Sequence, residues 1–247
     1  MESYEIISPS VHVKDKLSNE LLKKLEWAGR VCYKSDEKIT DDSYVNFLES
    51  KLNMKPVPHE SLMEHEKVTV FIECDRGVSH ELVRHRIASF SQESTRYCNY
   101  SKDKFGNRLK FILPVFYTYG KCDEKRKVWE DSIKNASIAY LQLLKLGASP
   151  QEARAVLPNS LKTSIVITMN LREWRHFFLL RADEHAHPQM REIAIPLLLY
   201  FKKQLSPLFD DIPYDTQFNV SDYAAVFDYR DEPVEIVFDY WNEPVKI

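Results

Sequence analysis

The chain has 247 residues, 44% of them hydrophobic and 29% charged, with a formal net charge of −3 and a pI of about 6.3. This length allows a sizeable core, and the slightly acidic balance argues against a protein that coats nucleic acid. No apolar run approaches the ~20 residues of a membrane span, and the N-terminal stretch MESYEIISPSVHVKDK holds no apolar signal segment, so we expect a cytoplasmic protein without nucleic-acid or membrane partners.

The N-terminal half is predicted to contain two helices, a strand and a shorter third helix. Apolar residues recur at helical spacing over residues 18–30 and again over residues 41–52. Residues 67–73, KVTVFIE, are β-branched and aromatic with partial alternation, which predicts a strand. Gly77 is expected to break the chain before a short helix, SHELVRHRI, over residues 79–87.

The middle of the chain contains the strongest helical pattern, over residues 124–146, which is expected to stop at Gly147. The next helix has a clear start signal. Ser149 is predicted as its N-cap, with Pro150 at the first helical position and Glu152 at the capping-box position.

The last third is predicted to contain one strand, two helices and a tail. The strand is TSIVIT, residues 163–168, and the helix after it is opened by Asn170 and Glu173. A further helix is predicted from about residue 189 to 205. From residue 210 the chain is acidic and aromatic, which favours an irregular tail or an added hairpin. Without repeats or long linkers, we expect one α/β domain over residues 1–247, with 210–247 as a C-terminal extension.

Cysteine and glycine positions limit the kinds of site. The four cysteines are widely separated without a C-x-x-C pair, so neither a zinc site nor a disulfide framework is supported and reduced thiols are expected. Two roles are open for Cys98, a thiolate nucleophile near cations or a small buried residue. Only five glycines occur, and none forms a G-x-G-x-x-G or G-x-x-x-x-G-K motif. Phosphate binding must therefore rely on side chains, for which arginine is best suited.

The stretch RHRIASFSQESTRY, residues 84–97, concentrates cations and hydroxyl groups. Arg84, Arg86 and Arg96 occur there with three serines, and Glu93 is the only acid among them. Cations that oppose a helix dipole would account for one arginine but not for Arg96 or the hydroxyls. Because the whole chain is slightly acidic, we interpret the stretch as a local site for a small anionic ligand.

Two later arginines also have candidate roles. Arg154 lies early in the capped helix, and Arg181 shares a predicted helix face with Phe177 and Phe178. For Arg181 two interpretations are open. Its head group lies in water above an apolar stem, or it is held against the aromatic rings as the partner of a planar, ionisable ring.

The histidines do not predict a metal site. His59 and His65 flank SLME, and Glu184, His185 and His187 lie close in sequence. However, His185 and His187 are two residues apart, so they point to different sides of a helix, and no H-E-x-x-H motif is present.

Taken together, these residues resemble the flavin-dependent thymidylate synthase family. Its signature, R-H-R followed by seven residues and a serine, is matched by residues 84–86 and Ser94, and Arg96 and Tyr97 fit as well. Three further segments resemble the family: HESLMEH, EARAVLP and NLREWRHFFLLRADEHAHPQMRE. The resemblance covers roughly residues 20–205.

Two positions depart from the family pattern. Glu81 stands where glutamine is frequent, and Ser91 replaces a frequent asparagine. An acid beside a dianionic nucleotide is unfavourable unless it is hydrogen-bonded or protonated.

The resemblance implies a fold, cofactors and site residues. The fold is an α/β (α+β) single domain with a central, mainly antiparallel sheet flanked by helices. The implied FAD contacts are His59, Ser61, Glu64, Arg84, His85, Arg86, Ile87, Ser91, Gln92, Asn170, Leu171, Arg172, His176 and His185. The implied contacts to dUMP are Glu81, Leu82, Val83, Arg84, Gln92, Glu93, Ser94, Thr95, Arg96, Arg154 and Arg181.

The implied reaction is the reductive methylation of dUMP to dTMP. Methylenetetrahydrofolate is the carbon donor, NADPH reduces the FAD, and the enzyme is a homotetramer with sites shared between subunits. Arg181 is the expected catalytic residue, because a fixed guanidinium favours the N3-deprotonated uracil ring. Two alternatives are a non-catalytic flavin- or nucleotide-binding sensor and, less consistent with the acidic balance, an RNA-binding module.

Overall fold

The fold combines α-helices and β-strands along the whole described chain. The structure, a computed structural model, describes residues 4–55, 57–102, 106, 108–118, 120 and 123–236. The strands are β1 (Tyr4–Ile7), β2 (Ser10–Val13), β3 (Lys67–Asp75), β4 (Ser89–Gln92), β5 (Leu109–Ile112), β6 (Lys162–Asn170) and β7 (Ala225–Phe227). The α-helices are α1 (Asn19–Val31), α2 (Ser43–Leu52), α3 (Arg76–Leu82), α4 (Asp123–Lys145), α5 (Pro150–Ala153), α6 (Leu171–Arg181) and α7 (Pro188–Leu205).

Five strands form the central sheet in the order β4-β6-β3-β2-β7. The longest pairing joins β3 and β6 in antiparallel register, from Lys67 opposite Asn170 to Asp75 opposite Lys162. The β4–β6 and β2–β3 pairs are antiparallel too, and β7 is parallel to β2. The expectation of a mainly antiparallel sheet in an α+β fold is therefore confirmed. A separate parallel pair joins β1 and β5.

Alternation along β3 and β6 gives the sheet one apolar face. Val68, Val70 and Ile72 on β3 and Ile165 and Ile167 on β6 are fully buried, whereas the residues between them are partly exposed. Residues of helices α1, α2, α6 and α7 pack with them in one large core cluster. A smaller cluster joins α4 to β5. The sheet thus has a helix-covered face and an open face.

Trp174 fastens α6 to the sheet. Its side chain is fully buried, and its indole N–H donates to the backbone carbonyl of Val68 at 3.0 Å. The rings of Phe177, Phe178 and Phe201 pack around it with centroids 5.3, 5.7 and 5.4 Å away. Edge-to-face and tilted arrangements of this kind stabilise aromatic clusters. This anchor fixes the course of α6, at whose end Arg181 lies.

Most of the predicted elements are confirmed. Helices α1, α2, α4, α6 and α7 lie within a few residues of their predicted bounds, and α4 is followed by Gly147, which has φ +93°. Both the backbone N–H and the hydroxyl of Ser149 donate to the Glu152 carboxylate, at 2.8 and 2.6 Å, so the predicted capping box is present.

The helix predicted over residues 79–87 is wrong in its bounds. Asp75 caps α3 by accepting the Val78 N–H at 2.7 Å, so the helix starts directly after β3 and Gly77 lies in its first turn. The helix ends at Leu82. The R-H-R triplet consequently lies in the turn between α3 and β4. Helical spacing therefore does not determine which side chains of the triplet contact their neighbours.

Five short strands were not predicted from the sequence, and one of them belongs to the tail. Strand β7 pairs with β2, and Ile212, Ala224 and Val226 are buried in the large core cluster, so the described part of the tail is mostly irregular but packed. The remainder of the predicted extension, residues 237–247, lies outside the described residues. Within the described part of the chain, none of the helices is both long and apolar enough to cross a membrane.

We predict that Trp174→Phe lowers the free energy of unfolding by about 2–4 kcal/mol, because it removes the hydrogen bond to the Val68 carbonyl and leaves a gap in the core. Trp27, which is 56% exposed on α1, provides a matched control, and Trp27→Phe should change stability by less than about 0.5 kcal/mol. Urea unfolding at equal protein concentration measures both. Equal losses in the two variants would contradict the anchoring role of Trp174.

Candidate active site

Arg181, in the last turn of α6, is fixed by three acceptors. Its Nε–H donates to His85 Nε2 at 3.1 Å, Nη1 donates to the Glu81 carboxylate at 2.8 Å, and Nη2 donates to the Glu81 carbonyl at 3.2 Å. Since a guanidinium has five N–H donors, two remain for a ligand. The unfavourable acid foreseen at position 81 is thus hydrogen-bonded.

His85 lies beneath this arginine and is neutral. The residue is 4% exposed, and Nε2 can accept from Arg181 only if the ring proton is on Nδ1, which faces the Glu173 carboxylate at 3.5 Å. Burial, the charge of Arg181 and the neighbouring His176 lower the pKa of His85 to about 4. The ring also packs against Phe177, with centroids 5.1 Å apart.

A cavity of about 490 Å³ opens beside Arg181. Leu179 and Leu180 give it an apolar wall and are 47% and 50% exposed, while Glu81 and Arg181 give it charge. An apolar wall next to a fixed cation can hold a planar ring that carries negative charge at its edge. The other lining residues are Asp183, His185, Ala186 and His187.

His185 is the exposed group of this cavity. Its Nδ1 lies 2.8 Å from the Asp183 carboxylate, and the hydrogen bond to that carboxylate raises the pKa of His185. The imidazole can therefore carry positive charge nearer to neutral pH than a free histidine, and its acidic neighbours are Asp183 and Glu184.

Three exposed guanidinium groups surround the turn after α3. Within the described part of the chain, the head groups of Arg84, Arg86 and Arg96 form no hydrogen bond or ion pair, although Arg96 lies over the Tyr97 ring at 5.4 Å. By contrast, Arg175 pairs with an aspartate. Arginines that are not paired with acidic side chains of the protein are suited to bind anionic groups of a ligand.

Arg154 lies next to this cationic segment, as its Nη1 donates to the Thr95 hydroxyl at 3.2 Å. The Ser94 hydroxyl accepts the backbone N–H of Arg96 at 3.3 Å. Two segments that are about 60 residues apart in sequence therefore meet through Arg154 and Thr95. A phosphate-sized anion would find two guanidinium groups and hydroxyls there.

Gln92 and Glu93 make contacts within the protein. The Gln92 amide donates to the hydroxyls of Ser79 and Thr163, at 2.9 and 3.2 Å. The Glu93 carboxylate accepts from the Tyr100 hydroxyl at 2.7 Å and from Lys162 at 3.1 Å. These side chains therefore fasten β4 to its neighbours.

A second cavity, of about 640 Å³, lies on the open face of the sheet. Its polar lining includes Ser91, Glu93 and Lys162, and Lys162 bridges Glu93 and Glu73 at 3.1 and 3.0 Å. Sequence reasoning missed Lys162, whose only signal was a cation at the first position of a strand.

The remaining implied cofactor residues gather at the start of α6. Arg172 donates to Glu64 at 2.6 Å, and Asn170 caps the helix by accepting the Glu173 N–H at 2.8 Å. His59 lies 3.3 Å from the Tyr33 hydroxyl, and Ser61 is exposed. This group lies at the other end of α6 from Arg181, about ten residues away. The implied FAD contacts therefore fall into two separate clusters.

Several predicted residues are placed where their side chains have other roles. Leu82 and Leu171 are buried in the core, at 1% and 0% exposure, so only their backbone atoms are available to a ligand. Val83 and Ile87 are exposed. In the described chain, Arg181 makes no cation–π contact with the aromatic residues that precede it; the ring of His85 packs against Phe177 instead.

One group in the described residues has the composition of a metal site. Donor atoms of His85, Glu173 and His176 lie within 4.8 Å of one another. The Nε2 lone pair of His85 is used by Arg181, whose positive charge opposes a bound cation. This arrangement favours a neutral hydrogen-bonded imidazole over a metal ligand. Sequence reasoning recognised Glu173 as a helix opener and missed that it faces His85.

We predict that the buried, neutral His85 makes stability depend on pH. Its folded-state pKa of about 4 is below the ordinary value of 6.5, so the unfolded state binds more protons and stability is lost as pH falls from about 6.5 towards 4. The loss at pH 5 should be about 2 kcal/mol. Thermal unfolding at pH 7.5 and pH 5 should show a smaller loss of stability at the lower pH in His85→Gln than in the wild type. An equal loss in the two proteins would contradict this prediction.

Comparison with known proteins identifies relatives over most of the chain. A flavin-dependent thymidylate synthase of Pyrococcus horikoshii is 37% identical over 210 residues, covering 80% of this chain and 84% of the relative. Those of Geobacter sulfurreducens and Corynebacterium aurimucosum are 36% and 35% identical, and the alignments cover 74% and 82% of this chain and 78% and 84% of the relatives.

A solved structure shares the fold. The UMP/dUMP methylase PolB from Streptomyces cacaoi, bound with 5-Br dUMP, superposes with a TM-score of 0.66 at 23% identity, covering 81% of this chain and 93% of the other. Residues 16–206 match the family described as thymidylate synthase complementing protein. The chain therefore belongs to the thymidylate synthase complementing protein family.

Proposed function

We propose that this protein is a flavin-dependent thymidylate synthase that converts dUMP to dTMP, with methylenetetrahydrofolate as carbon donor and NADPH as reductant of FAD. The names of its relatives support this activity. One observation carries the proposal at the level of residues. Arg181 is fixed by Glu81 and His85 beside an apolar-walled cavity, with two N–H donors left for a ligand.

The residues present fit FAD. The guanidinium groups of Arg84 and Arg86 are exposed and have no partner among the described residues, which suits the charge of a pyrophosphate. The exposed Leu179 and Leu180 suit one face of a ring system. Bound FAD, once reduced by NADPH, supplies the hydride of the reaction. The protein contributes binding, orientation and fixed charge.

The residues around Arg96 fit the phosphate of dUMP. Arg96 and Arg154 bring two cations to the segment that contains Ser94 and Thr95, and their hydroxyls add hydrogen-bonding partners. Arg181 then fits the uracil ring. Its fixed positive charge stabilises the N3-deprotonated form and so increases electron density at C5, where the new carbon is attached.

Glu81 orients Arg181 and does not oppose the nucleotide directly. Its carboxylate is 35% exposed and accepts from Nη1 at 2.8 Å, so part of its charge is compensated by the arginine. Glutamine at this position would keep an acceptor but not the charge. The exchange from the frequent glutamine is consistent with the same orienting role.

We further propose a cytoplasmic homotetramer with sites shared between subunits. In the arginine-rich stretch of residues 84–97, Ile87 and Tyr97 are 67% and 76% exposed. Large, exposed apolar side chains at the edge of a site favour contact with a second subunit. The packing of Ile212 and Val226 in the large core cluster supports one domain over residues 1–247. Light scattering that gives a monomer with FAD bound would rule out the shared site.

The decisive experiment is turnover of dUMP by purified protein with FAD, NADPH and methylenetetrahydrofolate. A yellow protein that releases FAD and forms dTMP supports the proposal. A protein that binds FAD or dUMP without turnover supports the sensor alternative. RNA binding with a steep dependence on salt would support the third alternative.

We predict that Arg96→Ala weakens dUMP binding by about 10- to 100-fold while FAD binding stays within about threefold, because a phosphate loses a charge-assisted partner. Calorimetry with dUMP and flavin absorbance measure the two affinities. Lys203→Ala, at the exposed end of α7, removes the same charge and is the control. Equal loss of both ligands in Arg96→Ala would contradict the assignment.

We predict that Arg181→Ala lowers turnover by about 10²–10³-fold, the usual scale for one preorganised charge-stabilising group. Cys98→Ala should retain most turnover, because the proposed chemistry uses no enzyme thiolate. The folate product should be tetrahydrofolate, since the folate keeps its own hydride. Chromatography of products and bleaching of bound FAD by NADPH test this; an inactive Cys98→Ala or accumulation of dihydrofolate would refute it.

A further inference from the structure

We propose that His85 is a positioning residue for Arg181, which it orients by accepting the Arg181 Nε–H at its own Nε2. This inference rests on the proposed function, in which Arg181 binds the uracil ring. It differs from a direct contact between His85 and FAD. The middle residue of the R-H-R triplet would then act on the nucleotide through the arginine and not on the flavin.

The contact that carries the inference is buried. The Arg181 side chain is 19% exposed and that of His85 is 3% exposed, and Nε and Nε2 are 3.1 Å apart. Phe177 packs against the imidazole at 5.1 Å and limits its movement. A rigid acceptor of this kind fixes the rotation of a long, flexible arginine side chain.

The surroundings of His85 determine its tautomer. Arg181 offers only N–H donors, so Nε2 must be unprotonated, and the proton on Nδ1 faces the Glu173 carboxylate at 3.5 Å. Burial and two neighbouring groups keep the ring neutral. Both ring nitrogens are thus directed at protein groups, and neither is available to a cofactor without breaking one of these contacts.

The acceptor at Nε also decides how Arg181 meets Glu81. Arginine and carboxylate tend to form bidentate pairs through two N–H groups, and Glu81 is close enough to form one. In the structure Nε donates to His85, Nη1 to the Glu81 carboxylate and Nη2 to the Glu81 backbone carbonyl, so the side-on bidentate pair through Nε does not form. In a variant without the His85 acceptor, we expect Nε–H to become free for such a pair and the guanidinium to leave its position beside the cavity.

The first measurement needs no ligand. Proton–nitrogen NMR of protein with ¹⁵N-labelled histidine and arginine should show His85 as the Nδ1–H tautomer. The Arg181 Nε–H should be protected from exchange in the wild type and in His85→Gln, whose amide oxygen can accept, and unprotected in His85→Leu. An Nε2–H tautomer, or protection that persists in His85→Leu, would overturn the proposal.

The second measurement is a double-mutant cycle on dUMP binding to the FAD-loaded protein. We expect His85→Leu to weaken dUMP binding about tenfold or more, His85→Gln less than about threefold, and His85→Leu to have almost no effect in an Arg181→Ala background. FAD content should be unchanged in all variants. Additive losses, or FAD loss in both His85 variants, would mean that His85 contacts a ligand directly and would overturn the proposal.

The two measurements separate failure of this inference from failure of the proposed function. If the wild type binds no dUMP, the proposed function fails, while the NMR experiment still decides whether His85 orients Arg181. If His85→Leu does not fold, the wild-type tautomer and His85→Gln still decide. His80→Leu, at an exposed histidine on α3, is the matched control and should match the wild type in each assay.

Discussion

The antiparallel pairing of β3 with β6 determines where every other part of the site can lie. The nine-residue ladder runs from Lys67 opposite Asn170 to Asp75 opposite Lys162, so α3 and α6 leave the sheet from opposite ends. The strands span ~30 Å, whereas α3 and α6, of seven and eleven residues, extend about 10 Å and 16 Å. Both helices pack on the buried face, and their C-terminal ends meet above it.

This geometry explains why the side chains that meet are far apart in sequence. Glu81 lies near the end of α3 and Arg181 at the end of α6, 100 residues later. The N-caps Asp75 and Asn170 fix where each helix starts, and Trp174 fixes how α6 lies on β3. Small changes at these anchors would therefore change the distance between the two C-terminal ends and with it the contacts of Arg181 with Glu81 and His85.

The arginines discussed above divide into two groups according to whether they pair with acidic side chains. Arg175 and Arg191 pair with Asp211 and Asp215 and thereby hold the segment after α7 against α6 and α7. The Arg191–Asp215 pair is largely buried, and such a pair is costly to break because one charge is then left without a partner. Arg84, Arg86 and Arg96 form no ion pair with an acidic side chain in the described chain. This difference separates the arginines that stabilise the fold from those that are available to bind a ligand.

Sequence patterns predicted the parts of the fold that depend on local signals. The long helices have 3.6-residue periodicity and caps, such as the capping box at Ser149, and β3 and β6 have buried apolar positions. The strands that were missed are three or four residues long, and β4, SFSQ, is polar on its open side. Each of them depends on pairing with a strand that is distant in the sequence, β4 with β6, β2 with β3, β7 with β2 and β1 with β5, which is not a local property.

In the candidate site, too, some features follow from local sequence signals and others depend on tertiary contacts. The cationic stretch and Arg181 could be recognised from residue types and spacing, because clustered guanidinium groups require an explanation. The contacts among Arg181, His85 and Glu173 depend on the turn after Leu82 and on how α6 packs. Periodicity placed residues 84–87 in a helix, and only the cap at Asp75 shows that the helix ends earlier. Tertiary contacts thus decided what local propensity could not.

The pairing of β7 with β2 has a consequence for synthesis on the ribosome. Strand β2 is made among the first residues, yet its outer edge is covered only by Ala225–Phe227, near the end of the described chain. An uncovered strand edge can pair with other chains. Since N-terminal segments emerge first, β2 is synthesised about 200 residues before the strand that covers its outer edge, and during that interval the edge is open to pairing with other chains.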